Sequence, residues 1–153
     1  FTEGCVENFK LEGITDWRLG ERYGLSMVND LNAGTEAWTD WNVLLDERGG
    51  PNHVGNFCYA PLHADTRTGQ LLFTNSYYYI GHFSKFIRPG ARRVAATASR
   101  DALETTAFRN PDGSVAVIVL NRTDQEQPFQ LWIRGQAAAT TSRPHSIMTL
   151  VVK

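Results

Sequence analysis

Two places in this chain hold residue types able to do chemistry: Glu3, followed at once by Gly4, and the stretch from Ala37 to Phe57, AWTDWNVLLDERGGPNHVGNF. Trp38 and Trp41 flank Asp40, Asn42 follows, and beyond Leu44 and Leu45 the chain opens into a Gly- and Asn-rich loop with His53, Asn56 and Phe57. An aromatic ring beside Asp and Asn at a strand end suits a sugar. The ring offers a flat apolar face, and the polar side chains satisfy hydroxyls that desolvation would otherwise strand. The same residues also read as the core of an α/β layer, with both Trp side chains packed inside it.

Composition narrows the field. With 15 basic and 16 acidic side chains in 153 residues, and no basic run beyond Arg92 and Arg93, the chain lacks the concentrated positive surface that phosphate binding needs, so no nucleic-acid partner is expected. No apolar stretch approaches the roughly 20 residues of a membrane-spanning helix. His53, His63, His82 and His145 form no HExxH or similar pair, so neither a metal nor a cofactor is expected. Cys5 and Cys58 are too few for a disulfide scaffold and read as free, buried thiols unless the fold brings them together. The chain opens on FTEGC without an initiator Met. We therefore expect the tail of a longer protein, whose targeting signal, including any secretory one, would lie upstream; the sequence assigns no compartment.

The elements that must position these residues fall into two parts. Phe1 to Cys5 reads as the end of a strand and Asn8 to Gly13 as loop. A helix capped by Thr15 or Asp16 runs to about Asn32, with Trp17, Gly24, Val28 and Leu31 on one face and Gly20 allowing a close neighbour. Gly34 ends it, and a strand follows from Ala37 to Leu45. Strand, helix, strand at this spacing is a parallel α/β unit, which sets Glu3 and Trp41 at the same end of adjacent strands. A long loop from Asp46 to Asn75, holding a short hairpin near Asp65 to Gly69, precedes a second helix reaching Ile87 and stopped by Pro89-Gly90. From Arg92 the period becomes alternating, with strands at 94–99, 103–109, 114–121, 129–134, 137–141 and 146–152. VAVIVL at 115–120 is apolar on both faces and reads as the central strand. This second part reads as an antiparallel β-sandwich. Asn121-Arg122-Thr123 matches a glycosylation acceptor, a pattern common by chance. Trp132 is the one isolated large aromatic of the sandwich that would suit a separate carbohydrate-binding role.

Four blocks in order, FTEGC, WTDWNVLLDERGGPNHVGNF, YYYIGHFSKFIRPGARRV and NPDGSVAVIVLNR, resemble the C-terminal part of the glucosylceramidase-like enzymes of glycoside hydrolase family 30. The resemblance covers nearly the whole chain. It implies an α/β plus all-β fold: the last two strands and helices of a (β/α)8 TIM barrel in residues 1–90, followed by an antiparallel β-sandwich side domain in 91–153. It also implies a retaining β-glycosidase in which Glu3 is the nucleophile ending barrel strand seven, Trp41 the platform for the sugar ring, Asn56 a loop residue near the substrate, and Phe57 its neighbour at the pocket mouth. The family's acid/base Glu, preceded by Asn, would lie on barrel strand four, upstream of Phe1. Without it the chain by itself should be nearly inert, since general-acid help is worth roughly 10²–10⁴ in rate. Glu7 is the one acidic residue here with any claim to the role.

Three functional readings stay open: a glucosylceramide-type β-glucosidase; the same fold acting on β-1,6-glucan, a xyloside or another β-glycan; and a non-catalytic carbohydrate-binding or structural module in which Glu3 is a solvated strand end. The partners implied are a β-glycoside and the missing N-terminal part of the barrel. Two parallel barrel strands cannot close a barrel, and the apolar helix faces and strand edges left open should drive self-association in that part's absence. Sedimentation of the isolated chain should therefore show oligomers at micromolar concentration, whereas a cooperatively folding monomer would contradict the expectation.

Overall fold

The structure, a computed structural model, describes residues 3–153. The chain divides into two compact units, the first reaching Gly81 and the second beginning at His82. In chain order the elements of the first are β1 (Val6–Glu7), a 3-10 turn at Leu11–Gly13, α1 (Trp17–Asn32), β2 (Leu44–Asp46), β3 (Cys58–Tyr59), β4 (Leu62–Asp65), β5 (Gln70–Phe73) and the start of α2 (Asn75–Ser84).

Helix α1 begins where a cap exists. The Asp16 carboxylate accepts the Arg18 N–H at 3.0 Å, satisfying one of the donors a helix start leaves open. The buried face is Gly20, Tyr23, Gly24, Met27 and Val28, rotated from the stripe expected from Trp17, which is 41% exposed. The bulk sits at Tyr23 and Met27, one turn apart. Gly20 is there because Tyr79 of α2 lies flat against it, and a Cβ at that position would enter the Tyr79 ring.

The strand expected over 37–45 is broken. Gly4 and Asp40 form an isolated parallel bridge, and regular pairing resumes only at β2, which runs parallel to β4. Asp40 Oδ1 accepts the N–H of the next residue, Trp41, at 3.0 Å, sharing it with the Gly4 carbonyl across the bridge. The expected strand at Phe1 to Cys5 is reduced among the described residues to the Gly4 bridge, with Phe1 and Thr2 lying outside them. The loop over 46–75 holds more structure than expected. β3 pairs antiparallel with β1, and β4 and β5 form the hairpin around Asp65, whose carbonyl accepts the Gly69 N–H at 2.8 Å.

In the second unit follow β6 (Arg92–Val94), β7 (Leu103–Arg109), β8 (Val115–Asn121), β9 (Gln127–Ile133), β10 (Gln136–Ser142) and β11 (Ser146–Val152). A four-stranded antiparallel sheet has the order β11-β8-β7-β6, and β9 and β10 pair as a hairpin. β8 is buried at every position, as expected of the central strand. Phe129, Leu131 and Ile133 of β9 pack with Val115, Val117 and Val119, so the alternation in β9 is the inside and outside of a sandwich. Strand six starts at Arg92 rather than 94, because Arg92 to Val94 pair with Ala107 to Arg109 and the chain then leaves the sheet. Asn121 is no glycosylation acceptor in this fold. It is fully buried, and its amide donates to the carbonyls of Gln125 and Arg143, both at 2.9 Å.

His63 on β4 shows how the first unit is tied together. It is fully buried; Nε2 accepts the Ala60 N–H at 3.0 Å and Nδ1 donates to the Asp46 carbonyl at 2.7 Å, which fixes the neutral tautomer. The ring also stacks on Phe9, 4.5 Å between centroids. Burial pushes its pKa down, consistent with a neutral ring. Replacing His63 by Phe should keep the stacking but strand the Ala60 N–H, at a cost of about 1–3 kcal/mol, readable as a lowered urea midpoint with unchanged slope.

Candidate active site

Glu3 reaches the surface at the point where two backbone bonds lock its strand to the next. Gly4 N–H donates to the Thr39 carbonyl and Trp41 N–H donates to the Gly4 carbonyl, both at 2.8 Å. Side chains alternate across such a bridge. Glu3 and Trp41 therefore share the face opposite Asp40. Glu3 is exposed and Trp41 is 53% exposed, so each is open to solvent on that face of two neighbouring strands.

The opposite face is packed. Trp38 lies so close over Gly4 that a Cβ there would enter the indole ring, and its Nε1–H donates to Asp30 on α1 at 3.0 Å. Gly4 thus leaves the room that Trp38 fills. Tyr23 of α1 meets Trp38 edge-on, 5.6 Å between centroids, and donates its hydroxyl to Asp40 Oδ1 at 3.0 Å. Asp40 Oδ2 is buried without a hydrogen-bond partner among the described residues. Burial pushes the Asp40 carboxyl up to about 6, against the pull of the bonds from Tyr23 and the Trp41 N–H. Of the two Trp residues, then, Trp38 is structural and Trp41 is free to meet a ligand.

The loop over 51–57 is held beside the Glu3 segment by the β1–β3 pairing and by side chains. Asn56 Nδ2 donates to Glu7 Oε1 at 3.1 Å, and Phe9 N–H donates to the Phe57 carbonyl at 3.1 Å. Phe57 is 42% exposed. Glu7 therefore acts as an acceptor that orients the Asn56 amide, which is not the posture of a proton donor. The brace within the loop is Asn52, which the sequence reading passed over. Its Oδ1 accepts the N–H groups of Val54 at 2.8 Å and Asn56 at 3.1 Å, and its Nδ2 donates to the Asn56 carbonyl at 2.7 Å. An Asn directly after Pro51 in a Gly-rich turn is the signal that could have found it. Tyr23 was likewise missed, and Glu7 was named only as a candidate acid and not as the partner of Asn56, since the partners lie 17 and 49 residues away. No group of three or more His, Cys, Asp or Glu residues able to hold a metal occurs among the described residues.

The described geometry is a parallel strand pair followed by an antiparallel sandwich, and comparison assigns its class. Residues 2–87 match the TIM-barrel domain of glycosyl hydrolase family 30, and residues 90–150 match the β-sandwich domain of the same family. The chain belongs to glycoside hydrolase family 30. It is 41% identical over 134 residues to the lysosomal acid glucosylceramidase of Mus musculus, covering 85% of this chain and 26% of the mouse protein. It is 27% identical over 111 residues to an endo-1,6-β-D-glucanase of Trichoderma harzianum, covering 69% of this chain and 22% of the fungal protein. The crystal structure of SrfJ from Salmonella typhimurium superposes with a TM-score of 0.94 at 35% identity, over 100% of this chain and 34% of that one. The chain thus spans about a quarter to a third of the length of these relatives. The expected fold class, the end of a TIM barrel followed by a β-sandwich, is borne out.

Asp40 supplies a pH signature. Its folded-state pKa stands above the ordinary 3.8, at about 6, so the native state holds the proton more tightly than the unfolded chain does. The stability this contributes is full below about pH 4 and is lost as pH rises through about 6. Unfolding free energy measured across that window should fall for the wild type, and the slope should flatten for Asp40→Asn, which cannot titrate.

Proposed function

We propose that the protein containing this chain is a retaining β-glycosidase, with residues 1–90 as the end of its catalytic barrel and 91–153 as its side domain. The observation that carries the reading is the parallel Gly4–Asp40 bridge, which joins the segment of exposed Glu3 to that of exposed Trp41 in a chain of family 30. Glu3 acts as nucleophile. Its carboxylate attacks the anomeric carbon and forms a glycosyl ester while the aglycone oxygen leaves with a proton, and water then cleaves the ester. A retaining site needs its two carboxyl groups about 5–5.5 Å apart. The donor of the proton comes from sequence outside these 153 residues, so the chain alone turns over no glycoside.

Trp41 and Asn56 bind rather than react. The indole takes the C–H face of the sugar ring, and the Asn56 amide, held by Glu7 and Asn52, meets a hydroxyl. Phe57 narrows the pocket mouth. The likeness to the mouse glucosylceramidase over 85% of this chain favours a β-glucoside of the glucosylceramide type. A second reading, cleavage of a β-1,6-glucan, is favoured by the fungal relative.

In the whole protein, Glu3→Gln should abolish hydrolysis of an aryl β-glucoside, by more than the roughly 10²–10⁴ typical of a lost general acid, with folding unchanged. A 2-fluoro glucoside should label Glu3, located by peptide mass; an ester on another residue, or near-normal activity of the variant, would refute the assignment. Trp41→Ala should lower kcat/KM on every β-glycoside tested, since ring stacking serves ground and transition states alike. Comparing rates on glucosylceramide and on a β-1,6-linked glucan decides between the two substrates.

A further inference from the structure

The fold brings Cys5 and Cys58, 53 residues apart in sequence, to 3.0 Å between their sulfurs. Both are free thiols, Cys5 half-buried and Cys58 only 3% exposed. The Cys5 thiol points at Cys58 Sγ, and the Cys58 thiol in turn points at the Asn56 carbonyl at 3.4 Å. The backbones run antiparallel beside them, with Glu7 opposite Cys58. Closing the gap to a bond of about 2.05 Å takes a combined sulfur shift of about 1 Å, within reach of side-chain rotation alone. Among the described residues no further His, Cys, Asp or Glu joins the pair into a metal cluster.

Their positions matter as much as their distance. Cys5 lies two residues after Glu3, and Cys58 directly follows Asn56 and Phe57. We propose that Cys5 and Cys58 form a disulfide in an oxidising compartment, clamping the strand end that carries Glu3 to the loop that carries Asn56 and Phe57. The oxidant is a disulfide, carried by a small molecule such as oxidised glutathione or by a thiol-oxidising protein of the compartment. One protein thiolate attacks it and releases one thiol; the second then displaces the remaining half. Two protein thiols give up two electrons and two protons, and the oxidant departs as two thiols. Burial, and then the Cys58 neighbour, push the Cys5 thiol up to about 12. The cross-link stands on geometry alone and does not depend on the catalytic reading.

The test uses the whole protein exported to a bacterial periplasm, where disulfides form, then alkylated under denaturing conditions and mapped without reduction. The expected result is one linked peptide pair containing Cys5 and Cys58, lighter by two hydrogens, with neither thiol alkylated; Cys5→Ser and Cys58→Ala should each abolish it. Limited proteolysis should cut the exposed Val54–Gly55 segment more slowly in the oxidised protein than in the reduced protein or in Cys5→Ser. Both thiols alkylated, or glutathione adducts on single cysteines, would overturn the pairing. A linked pair with unchanged cleavage at the loop would overturn the clamp.

Discussion

Two backbone hydrogen bonds, from Gly4 to Thr39 and from Trp41 to Gly4, carry the organisation of the first unit. Gly4 brings no side chain to the face beside them. Trp38 fills the volume a Cβ would take, and the indole is held there by Asp30 and the edge of Tyr23. An Ala at position 4 would push the ring off α1 and the two strands apart. Packing on one face of the bridge thus sets where the polar groups emerge on the other, and the precision of Glu3 relative to Trp41 is inherited from apolar contacts that touch no ligand.

The same bridge explains the electrostatic division of labour. Asp40 and Glu3 lie on opposite faces of one strand pair. The first is drawn into the protein, where desolvation disfavours its charge; the second stays in water. Tyr23 shares the burial. Its hydroxyl pKa is raised beyond the ordinary range by burial and by the Asp40 carboxylate, so it remains a donor. A buried carboxyl with one oxygen unpartnered is a costly feature to keep. Its position beneath Trp41 makes it part of what holds that residue's backbone, through the bond to the Trp41 N–H.

Much of this was legible in the sequence, and the reasons differ by element. α1 announced itself through Asp16 and Gly34, and β7 to β11 through alternation and turn residues, because capping and period-two burial are local effects. Of the short strands, β3 was hidden, and the hairpin of β4 and β5 showed only through its turn at Asp65 to Gly69. The three are two to four residues long, set among Gly, Pro and Asn, and the inward position of β4 is a histidine rather than an aliphatic residue. The face of α1 was misjudged because Trp17 outweighs Tyr23 in a count of apolar bulk, although it stands in the first turn at the edge of the packed surface. At the site, Glu3 and Trp41 could be placed on adjacent strand ends from spacing alone. The Glu7–Asn56, Tyr23–Asp40 and Cys5–Cys58 pairs could not, since tertiary pairing of distant residues leaves no mark on local pattern.

The four-stranded sheet of the second unit ends in two unlike edges. β6 is three residues long and carries exposed Arg92 and Arg93; β11 is seven residues long, with the sequence SIMTLVV, and no described strand pairs with its outer side. A short, charged edge rejects an incoming strand, while a long, uncharged, β-branched one is a template for it. Colloidal behaviour is therefore directional. Aggregation starting from this unit would grow from β11, and a Lys on an outward position of that strand would act where a change at β6 would not.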